Sequence, residues 1–213
     1  MKKTEIILVR HGQSIGNANG QYLGHTNLGL SEVGHKQAEI TAEHLKNVKI
    51  DAVYSSDLLR AHDTAVPHAK MRGLEVIDSE QLREINIGEW EGKYVEDLKR
   101  DFYDEFVIAW QKNFGTFAFR EGESVIGAGK RFYNEVLRIA KENEGKCVLI
   151  AAHAAVIRAF WCMVCKIPPE RMAEAYPYPT NASYSTVEFD GEKFIPIEYS
   201  SDAHMSLYSE PLQ

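Results

Sequence analysis

The sequence predicts an α/β fold of three layers, with a mostly parallel central sheet, helices on both faces and an antiparallel hairpin late in the chain. Three observations lead to this prediction. Apolar runs of strand length alternate with segments of helical periodicity through most of the chain. The run at residues 147–152 is apolar throughout, which is typical of a parallel strand buried on both faces. Asp190 and Gly191 separate two strand-like segments and form a strong hairpin signal.

The first part of the chain predicts three strands and two helices. Apolar residues 5–9 predict the first strand, and a helix is expected to start after Ser31, a preferred N-cap residue, and to continue to about residue 46. Residues 51–55 predict a short second strand. Asp57 is expected to cap a helix that continues to about residue 71, and a further short strand is expected at residues 75–77.

The second part opens with a segment of different composition, residues 86–120, which is rich in aromatic side chains. Its apolar spacing between residues 95 and 110 predicts one or two helices that cover one end of the sheet. Residues 123–143 show the clearest amphipathic pattern, with their apolar side chains on one stripe. The remaining elements are expected to be the strand at residues 147–152, a helix at 154–165, and the hairpin strands at 185–189 and 193–198.

Length and composition indicate one globular domain over residues 1–213. The chain is 44% hydrophobic and 26% charged, with a net charge of −7. This negative charge gives the molecule as a whole no attraction for nucleic acids or acidic membranes, so neither is an expected partner. Three cysteines, an odd number, argue against a disulfide framework. Together with an N-terminus that does not resemble a signal peptide, they predict a cytoplasmic protein, and they leave its oligomeric state open.

Three predicted strands end at polar residues for which the fold has no structural need. Arg10, His11 and Gly12 follow the first strand, Arg60 lies one turn into the helix after the second, and His153 follows the run at residues 147–152. In an open α/β sheet, ligands bind at the carboxyl ends of the strands, so these side chains are expected to converge. Guanidinium groups bind phosphate bidentately, and a neutral imidazole is a competent nucleophile toward phosphorus. The pattern therefore predicts phosphoryl transfer.

The sequence resembles the histidine phosphatase superfamily in its phosphoglycerate mutase-like branch. The tripeptide Arg10-His11-Gly12 matches the signature of this family, and further motifs follow in the family's order over nearly the whole chain. The matching blocks are residues 10–17, 23–38, 55–65, 82–92, 122–131 and 153–158. One departure is Ala154, where the family usually has glycine after the histidine, and a slightly narrower pocket is expected there.

The resemblance implies specific roles for the residues of these blocks. His11 would be the nucleophile that becomes a phosphohistidine, and Glu84 would protonate the leaving oxygen and then take a proton from water. Asn17 would hydrogen-bond the phosphate, and Gly12 would leave room for it. The implied catalytic residues are His11, Glu84, His153 and Arg10. The implied substrate-binding residues are Arg10, Gly12, Asn17, Gly24, Arg60 and His153. No cofactor is implied, and residues 86–120 would cover the site.

The block around Glu84 separates two activities within the resemblance. Mutases usually carry Arg-His-Tyr-Gly after this glutamate, with paired arginines downstream that hold a second anionic group. Here Glu84 is followed by Ile-Asn-Ile-Gly, and residues 86–120 contain no arginine pair. The sequence therefore favours a phosphomonoester hydrolase over a cofactor-dependent phosphoglycerate mutase. Its partner would be a small-molecule phosphate ester, and the aromatic segment together with Tyr176-Pro177-Tyr178 suggests an apolar or ring-bearing leaving group.

Two further alternatives involve other kinds of site. A non-catalytic phosphate-binding regulatory module would usually lack the nucleophile or the acid, whereas His11 and Glu84 are both present. Two histidines and one glutamate could also form a facial triad for a metal ion. Arg10 and Arg60 beside them would repel a cation, so no metal is predicted. Two other arginines in these blocks, Arg83 and Arg131, are expected to form ion pairs.

Overall fold

A computed structural model describes residues 2–207, and six strands form the sheet at its centre. The strands are β1 (Thr4–Arg10), β2 (Ala52–Ser55), β3 (Val76–Asp78), β4 (Cys147–Ala152), β5 (Tyr184–Phe189) and β6 (Phe194–Ser201). Their order is β3-β2-β4-β1-β5-β6. The first four strands pair in parallel, and β5 pairs antiparallel with both β1 and β6. The predicted parallel sheet with a late antiparallel hairpin is therefore confirmed.

Helices flank this sheet on both faces. They are α1 (Ile15–Ala18), α2 (Glu32–His44), α3 (Leu59–Arg72), α4 (Val95–Asp101), α5 (Val125–Glu142), α6 (Ala154–Val164), α7 (Met172–Ala175) and α8 (Ala203–Leu207). Within the described part of the chain, none of these helices is long and apolar enough to cross a membrane. The short helices α1, α7 and α8 were not predicted, since so few residues give no readable period.

Alternate residues of β1 belong to two separate hydrophobic clusters. Ile6 lies in a cluster with Phe132 of α5 and Phe160 of α6. Its neighbour Ile7 lies in a second cluster with Ala65 of α3, and α2 packs beside α3. Successive side chains of a strand point to opposite faces, so each cluster fills the space between the sheet and one helical layer. This arrangement confirms the predicted three layers.

The starts of α2 and α3 differ from each other in their capping. The Ser31 hydroxyl accepts a hydrogen bond from the Gly34 amide at 3.1 Å, so the predicted N-cap of α2 is confirmed. The predicted cap of α3 is wrong, because this helix begins at Leu59 after Leu58, which provides no side-chain cap. Asp57 instead accepts a hydrogen bond from Arg83 Nε at 2.8 Å. Its carboxylate therefore joins two loops, and the expected ion pair of Arg83 is present.

Residues 86–120, called the excursion below, contain short helices that pack through aromatic rings. After α4 comes a π-helical segment, Asp104–Lys112, and the two are separated at Phe102, where the backbone leaves helical geometry. Trp90 and Phe106 pack with ring centres 5.5 Å apart, and Phe106 meets Tyr22 edge-on at the same distance. The excursion is thereby held against the loop that follows α1.

The strand register brings three strand ends to one edge of the sheet. Arg10 at the end of β1 pairs with Ala152 of β4, and Ser55 at the end of β2 pairs with Ala151. Because β1, β4 and β2 are neighbours, the residues that follow them emerge side by side. This edge holds the polar residues that the sequence singled out.

Candidate active site

His11 follows β1 and is almost fully buried, at 5% exposure. Its Nδ1 lies 2.6 Å from the carbonyl oxygen of Gly12. Since a carbonyl can only accept, this contact assigns the proton to Nδ1 and leaves a lone pair on Nε2. Burial, and then the charges of Arg60 and Arg10, lower the pKa of His11 well below its ordinary value of 6.5. The imidazole is therefore neutral at pH 7, as a nucleophile must be.

His153 lies beside it, at the end of β4. The two imidazole ring centres are 5.2 Å apart, with the ring planes tilted by 60°. His153 is fully buried, and neither of its ring nitrogens has a hydrogen-bond partner among the described residues. Burial, followed by the charge of Arg60, lowers its pKa well below 6.5. Such a neutral ring carries one N–H, and an oxygen of a bound anion would satisfy it.

Two guanidinium groups are fixed near these rings by backbone carbonyls. Arg60 is 1% exposed and donates to the carbonyl oxygens of Thr26 at 2.9 Å and Gly24 at 2.7 Å. Arg10 donates to the carbonyl of Pro179, while its buried Nε has no partner within residues 2–207. Burial lowers the pKa of Arg60 to about 10, so its charge persists at neutral pH. Both groups suit the binding of a phosphoryl group.

Glu84 is held at the start of α6. It is 8% exposed, and its carboxylate accepts hydrogen bonds from the amides of Ala155 at 3.0 Å and Val156 at 3.1 Å. Both amides belong to the first turn of α6. The Glu84 carbonyl accepts from Arg131 at 3.1 Å and lies 2.9 Å from Nε2 of His25. Both ends of this residue are therefore fixed.

Arg131 positions the loop that carries Glu84. Its guanidinium pairs bidentately with Glu123, at 2.9 and 2.8 Å, which is the ion pair expected from the sequence. It also donates to the carbonyl oxygens of Gln81 at 2.9 Å and Arg83 at 3.0 Å. Arg131 therefore acts through Glu84 rather than through direct contact with a ligand.

A cavity of about 230 Å³ lies beside His11, and among the described residues the fully buried His153 is not part of its lining. Its wall includes four of the charged or catalytic candidates and Asn17. The lining residues are Arg10, His11, Asn17, Gln21, Tyr22, Leu23, Arg60, Glu84, Ile85, Ile87, Trp110, Ala154, Ala155 and Tyr178. Ala154, which stands where the family usually has glycine, is part of this wall. Within residues 2–207, no cluster of three or more His, Cys, Asp or Glu side chains could hold a metal ion.

The other implied binding residues occupy different positions. Asn17 lines the cavity, and its Oδ1 accepts from the Ser14 amide at 3.2 Å, which leaves its amide nitrogen as the group that can meet a ligand. Gly12 packs against α2, because a Cβ there would lie 2.4 Å from the carbonyl oxygen of Gly34. The structure thus gives a reason for this glycine other than room for phosphate. Gly24 supplies the carbonyl that orients Arg60.

Glu91, which the sequence does not single out, is a carboxylate that joins two loops of the site. It accepts hydrogen bonds from the amides of Gly24 at 3.2 Å, His25 at 2.7 Å and Thr26 at 2.9 Å, and from Ile87 at 3.3 Å. Burial alone would raise its pKa, but the bonds from Thr26 and from the backbone amides outweigh burial and lower the pKa. Glu91 therefore fixes the loop whose carbonyls orient Arg60.

Similar proteins identify the family of this chain. Residues 6–201 match the model of the histidine phosphatase superfamily, branch 1. The chain belongs to this superfamily and is an enzyme of its phosphatase type, so the family predicted from the sequence is confirmed.

Similar proteins span nearly the whole chain. A metal-independent phosphoserine phosphatase of Arabidopsis thaliana is 33% identical over 205 residues, which cover 95% of this chain and 84% of that protein. Phosphoserine phosphatase 1 of Hydrogenobacter thermophilus is 29% identical over 202 residues, or 94% of each chain. The solved structure of a mycobacterial glucosyl-3-phosphoglycerate phosphatase in complex with VO3 is 27% identical, with a TM-score of 0.86 over 93% of this chain and 99% of that one.

Replacing Glu91 with glutamine is expected to weaken the binding of inorganic phosphate about tenfold, because the loop that holds Arg60 becomes looser. Leaving buried amides without acceptors costs about 1–3 kcal/mol. The free energy of unfolding should fall by about the same amount. Calorimetric titration with phosphate and urea unfolding measure the two effects. Glu89→Gln is the matched control, since the Glu89 side chain is more exposed and, among the described residues, pairs with Arg120 at 3.6 Å. Equal phosphate affinity in both variants would contradict this role.

Proposed function

We propose that the protein hydrolyses a small phosphomonoester in two steps, through a phosphohistidine intermediate on His11. One observation carries the proposal: a buried, neutral imidazole with a free Nε2 lies 5.2 Å from a second buried imidazole, beside two fixed guanidinium groups. In this proposal Arg10, Arg60, His153 and the amide of Asn17 bind the phosphoryl oxygens. Their charges and N–H groups neutralise the negative charge that spreads over these oxygens in the transition state.

In the first step, the Nε2 lone pair of His11 attacks phosphorus, and the bond from phosphorus to the ester oxygen breaks. Glu84, in its protonated form, transfers its proton to the departing oxygen, so the leaving group departs as an alcohol. Positive charge develops on the imidazole as the phosphorus–nitrogen bond forms. The Gly12 carbonyl accepts from Nδ1 and stabilises that charge.

In the second step, the Glu84 carboxylate takes a proton from water while the water oxygen attacks phosphorus. The phosphorus–nitrogen bond breaks, its electron pair returns to Nε2, and inorganic phosphate is released. His11 is neutral again and Glu84 is protonated, so the cycle is closed.

The positions of the two arginines in the excursion support hydrolysis over mutase activity. Arg100 pairs with Asp97 at 2.9 Å and with Asp101 at 2.7 Å, and Arg120 lies near Glu89 and Glu105. None of these groups lines the cavity, so they give no support for holding the second anionic group of a phosphoglycerate.

The proposal is tested with the wild-type protein and a panel of phosphomonoesters. Release of inorganic phosphate is expected, and rapid quenching with a substrate labelled at phosphorus should leave label on the His11 peptide in an alkali-stable, acid-labile form. The proposal fails if no monoester in the panel releases phosphate, or if the label is found on another residue. Isomerisation of 3-phosphoglycerate with a bisphosphate primer, at a rate above its hydrolysis, would favour the mutase.

We also propose a cytoplasmic location. Cys147, Cys162 and Cys165 are free thiols, which fits a reducing compartment. Burial raises the pKa of Cys147 to about 12, so this thiol stays protonated and unreactive.

A further inference from the structure

We propose that the leaving-group side of the cavity accepts a flat, uncharged ring that carries a hydrogen-bond acceptor, and disfavours carboxylate-bearing esters such as phosphoserine and phosphoglycerate. The inference rests on the hydrolysis proposed above and specifies its substrate class. It also sets this chain apart from relatives named as phosphoserine phosphatases.

The wall away from the phosphoryl groups is largely aromatic. Tyr22, Trp110 and Tyr178 contribute rings to it, and Ile85 and Ile87 add apolar surface. The Trp110 ring centre lies 6.2 Å from that of Tyr22, edge-on, and 6.2 Å from that of Tyr178, tilted by 35°. Rings at such spacings stack with or pack edge-on against a further ring.

The charged side chains that line the cavity are already used by the proposed reaction. Among the described lining residues, the charged side chains are Arg10, Arg60 and Glu84, which the proposed reaction uses for the phosphoryl group and for proton transfer. A carboxylate on the leaving group would therefore be buried in this wall without a cation of its own. Burying a charge without a partner is costly, so such esters should bind weakly.

Arg158 lies behind this wall and cannot serve as that cation. Its guanidinium carbon is 4.4 Å from the ring centres of both Tyr178 and Phe114. Its N–H groups donate to the carbonyls of Tyr176 at 2.7 Å and Ala173 at 2.8 Å. Arg158 therefore holds the Tyr178 ring in place from the side away from a ligand.

The Tyr178 hydroxyl is the polar feature that such a ligand would meet. Its oxygen is buried, and no acceptor for its proton lies within hydrogen-bond distance in the described part of the chain. Burial raises the pKa of Tyr178, so the hydroxyl keeps its proton and can donate. A buried donor without an acceptor is unfavourable, and an acceptor atom on the leaving group would satisfy it.

The test compares esters whose leaving groups are all primary alcohols: benzyl phosphate, the three pyridylmethyl phosphates and O-phosphoserine, at mildly alkaline pH where pyridine is neutral. Benzyl phosphate should exceed phosphoserine in kcat/KM by about tenfold or more, which corresponds to about 1.4 kcal/mol. At least one pyridylmethyl isomer should exceed benzyl phosphate. Phosphoserine turnover equal to or above that of benzyl phosphate would overturn the inference and leave the proposed hydrolysis standing. Failure of every ester would instead count against the hydrolysis.

Two variants assign the effect to the wall. Tyr178→Phe keeps the ring over Arg158 and removes only the hydroxyl, so the advantage of the best pyridylmethyl ester over benzyl phosphate should disappear while the affinity for inorganic phosphate is unchanged. Trp110→Leu should lower kcat/KM for benzyl phosphate about tenfold, since it removes a stacking partner and part of the apolar surface that would cover the ring. Tyr103→Ala is the control, because Tyr103 is 57% exposed in the same excursion. An equal loss for all esters and for phosphate in Tyr178→Phe would overturn the inference.

Discussion

Replacing His11 with alanine is expected to abolish phosphate release, with a fall in kcat of about 10⁴-fold or more, because loss of a nucleophile removes the covalent route altogether. Binding of inorganic phosphate should persist, since backbone carbonyls, not His11, orient Arg10 and Arg60. Steady-state release of phosphate from benzyl phosphate and calorimetric titration with phosphate measure the two properties. His62→Gln is a suitable control, because His62 is partly exposed and pairs with Asp78 at 2.9 Å. Turnover by His11→Ala near the wild-type rate would rule out the phosphohistidine route.

The dependence of wild-type kcat/KM on pH tests whether His11 is neutral in the free enzyme. A histidine loses its nucleophilic lone pair when pH falls below its pKa. Because burial and two arginines lower the pKa of His11 well below 6.5, kcat/KM should show no loss from this residue as pH falls through 6.5. If kcat/KM did fall near pH 6.5, and that fall disappeared when a residue other than His11 was replaced, the loss would belong to that residue and the prediction for His11 would hold.

Replacing Glu84 with glutamine is expected to lower kcat for benzyl phosphate by about 10²–10⁴-fold, the usual range for loss of a general acid and base. An ester with a good leaving group, 4-nitrophenyl phosphate, needs little protonation in the first step. With that ester the variant should release a burst of nitrophenol matching the enzyme concentration, followed by slow turnover, because water then lacks its base.

The burst distinguishes a loss of catalysis from a loss of folded structure in Glu84→Gln. The glutamine has only one acceptor oxygen where the carboxylate accepts from Ala155, Val156 and Ile85, so some loss of stability is expected and is measured by urea unfolding. Phosphate affinity near that of the wild type would show that the site is still assembled. A variant that bound phosphate normally but hydrolysed both esters at the wild-type rate would remove Glu84 from the mechanism.

The sequence predicted those features that depend on neighbours along the chain. The apolar run of β4 and its abrupt end at His153 specify a buried strand and the residue it presents. The tripeptide Arg10-His11-Gly12 does the same for β1. Convergence of the two ends then follows from parallel pairing, which the alternation of strands and helices implies.

Features that depend on distant partners could not be predicted in this way. Asp57 satisfies every local criterion for an N-cap, yet Arg83, 26 positions away, engages its carboxylate. The Glu91 carboxylate accepts hydrogen bonds from backbone amides 65–67 positions away. Tyr178 lines the cavity, and Arg158 stacks on its ring, a contact between residues 20 positions apart that no periodicity in the sequence indicates. An acidic or aromatic residue in a loop has many possible partners, and only the folded chain selects one.

The turn between β4 and α6 would allow the substrate specificity of this enzyme to change while its proposed catalytic residues stay the same. The same few residues carry His153 and the amides that hold Glu84, so covalent geometry sets the separation between these two side chains, the proposed phosphoryl ligand and the proposed proton donor. Trp110 and Tyr178 come from other segments. Mutations in the wall can therefore change which esters bind while the proposed reaction centre stays intact. After gene duplication, one copy could acquire activity toward new esters without any change in its proposed catalytic residues.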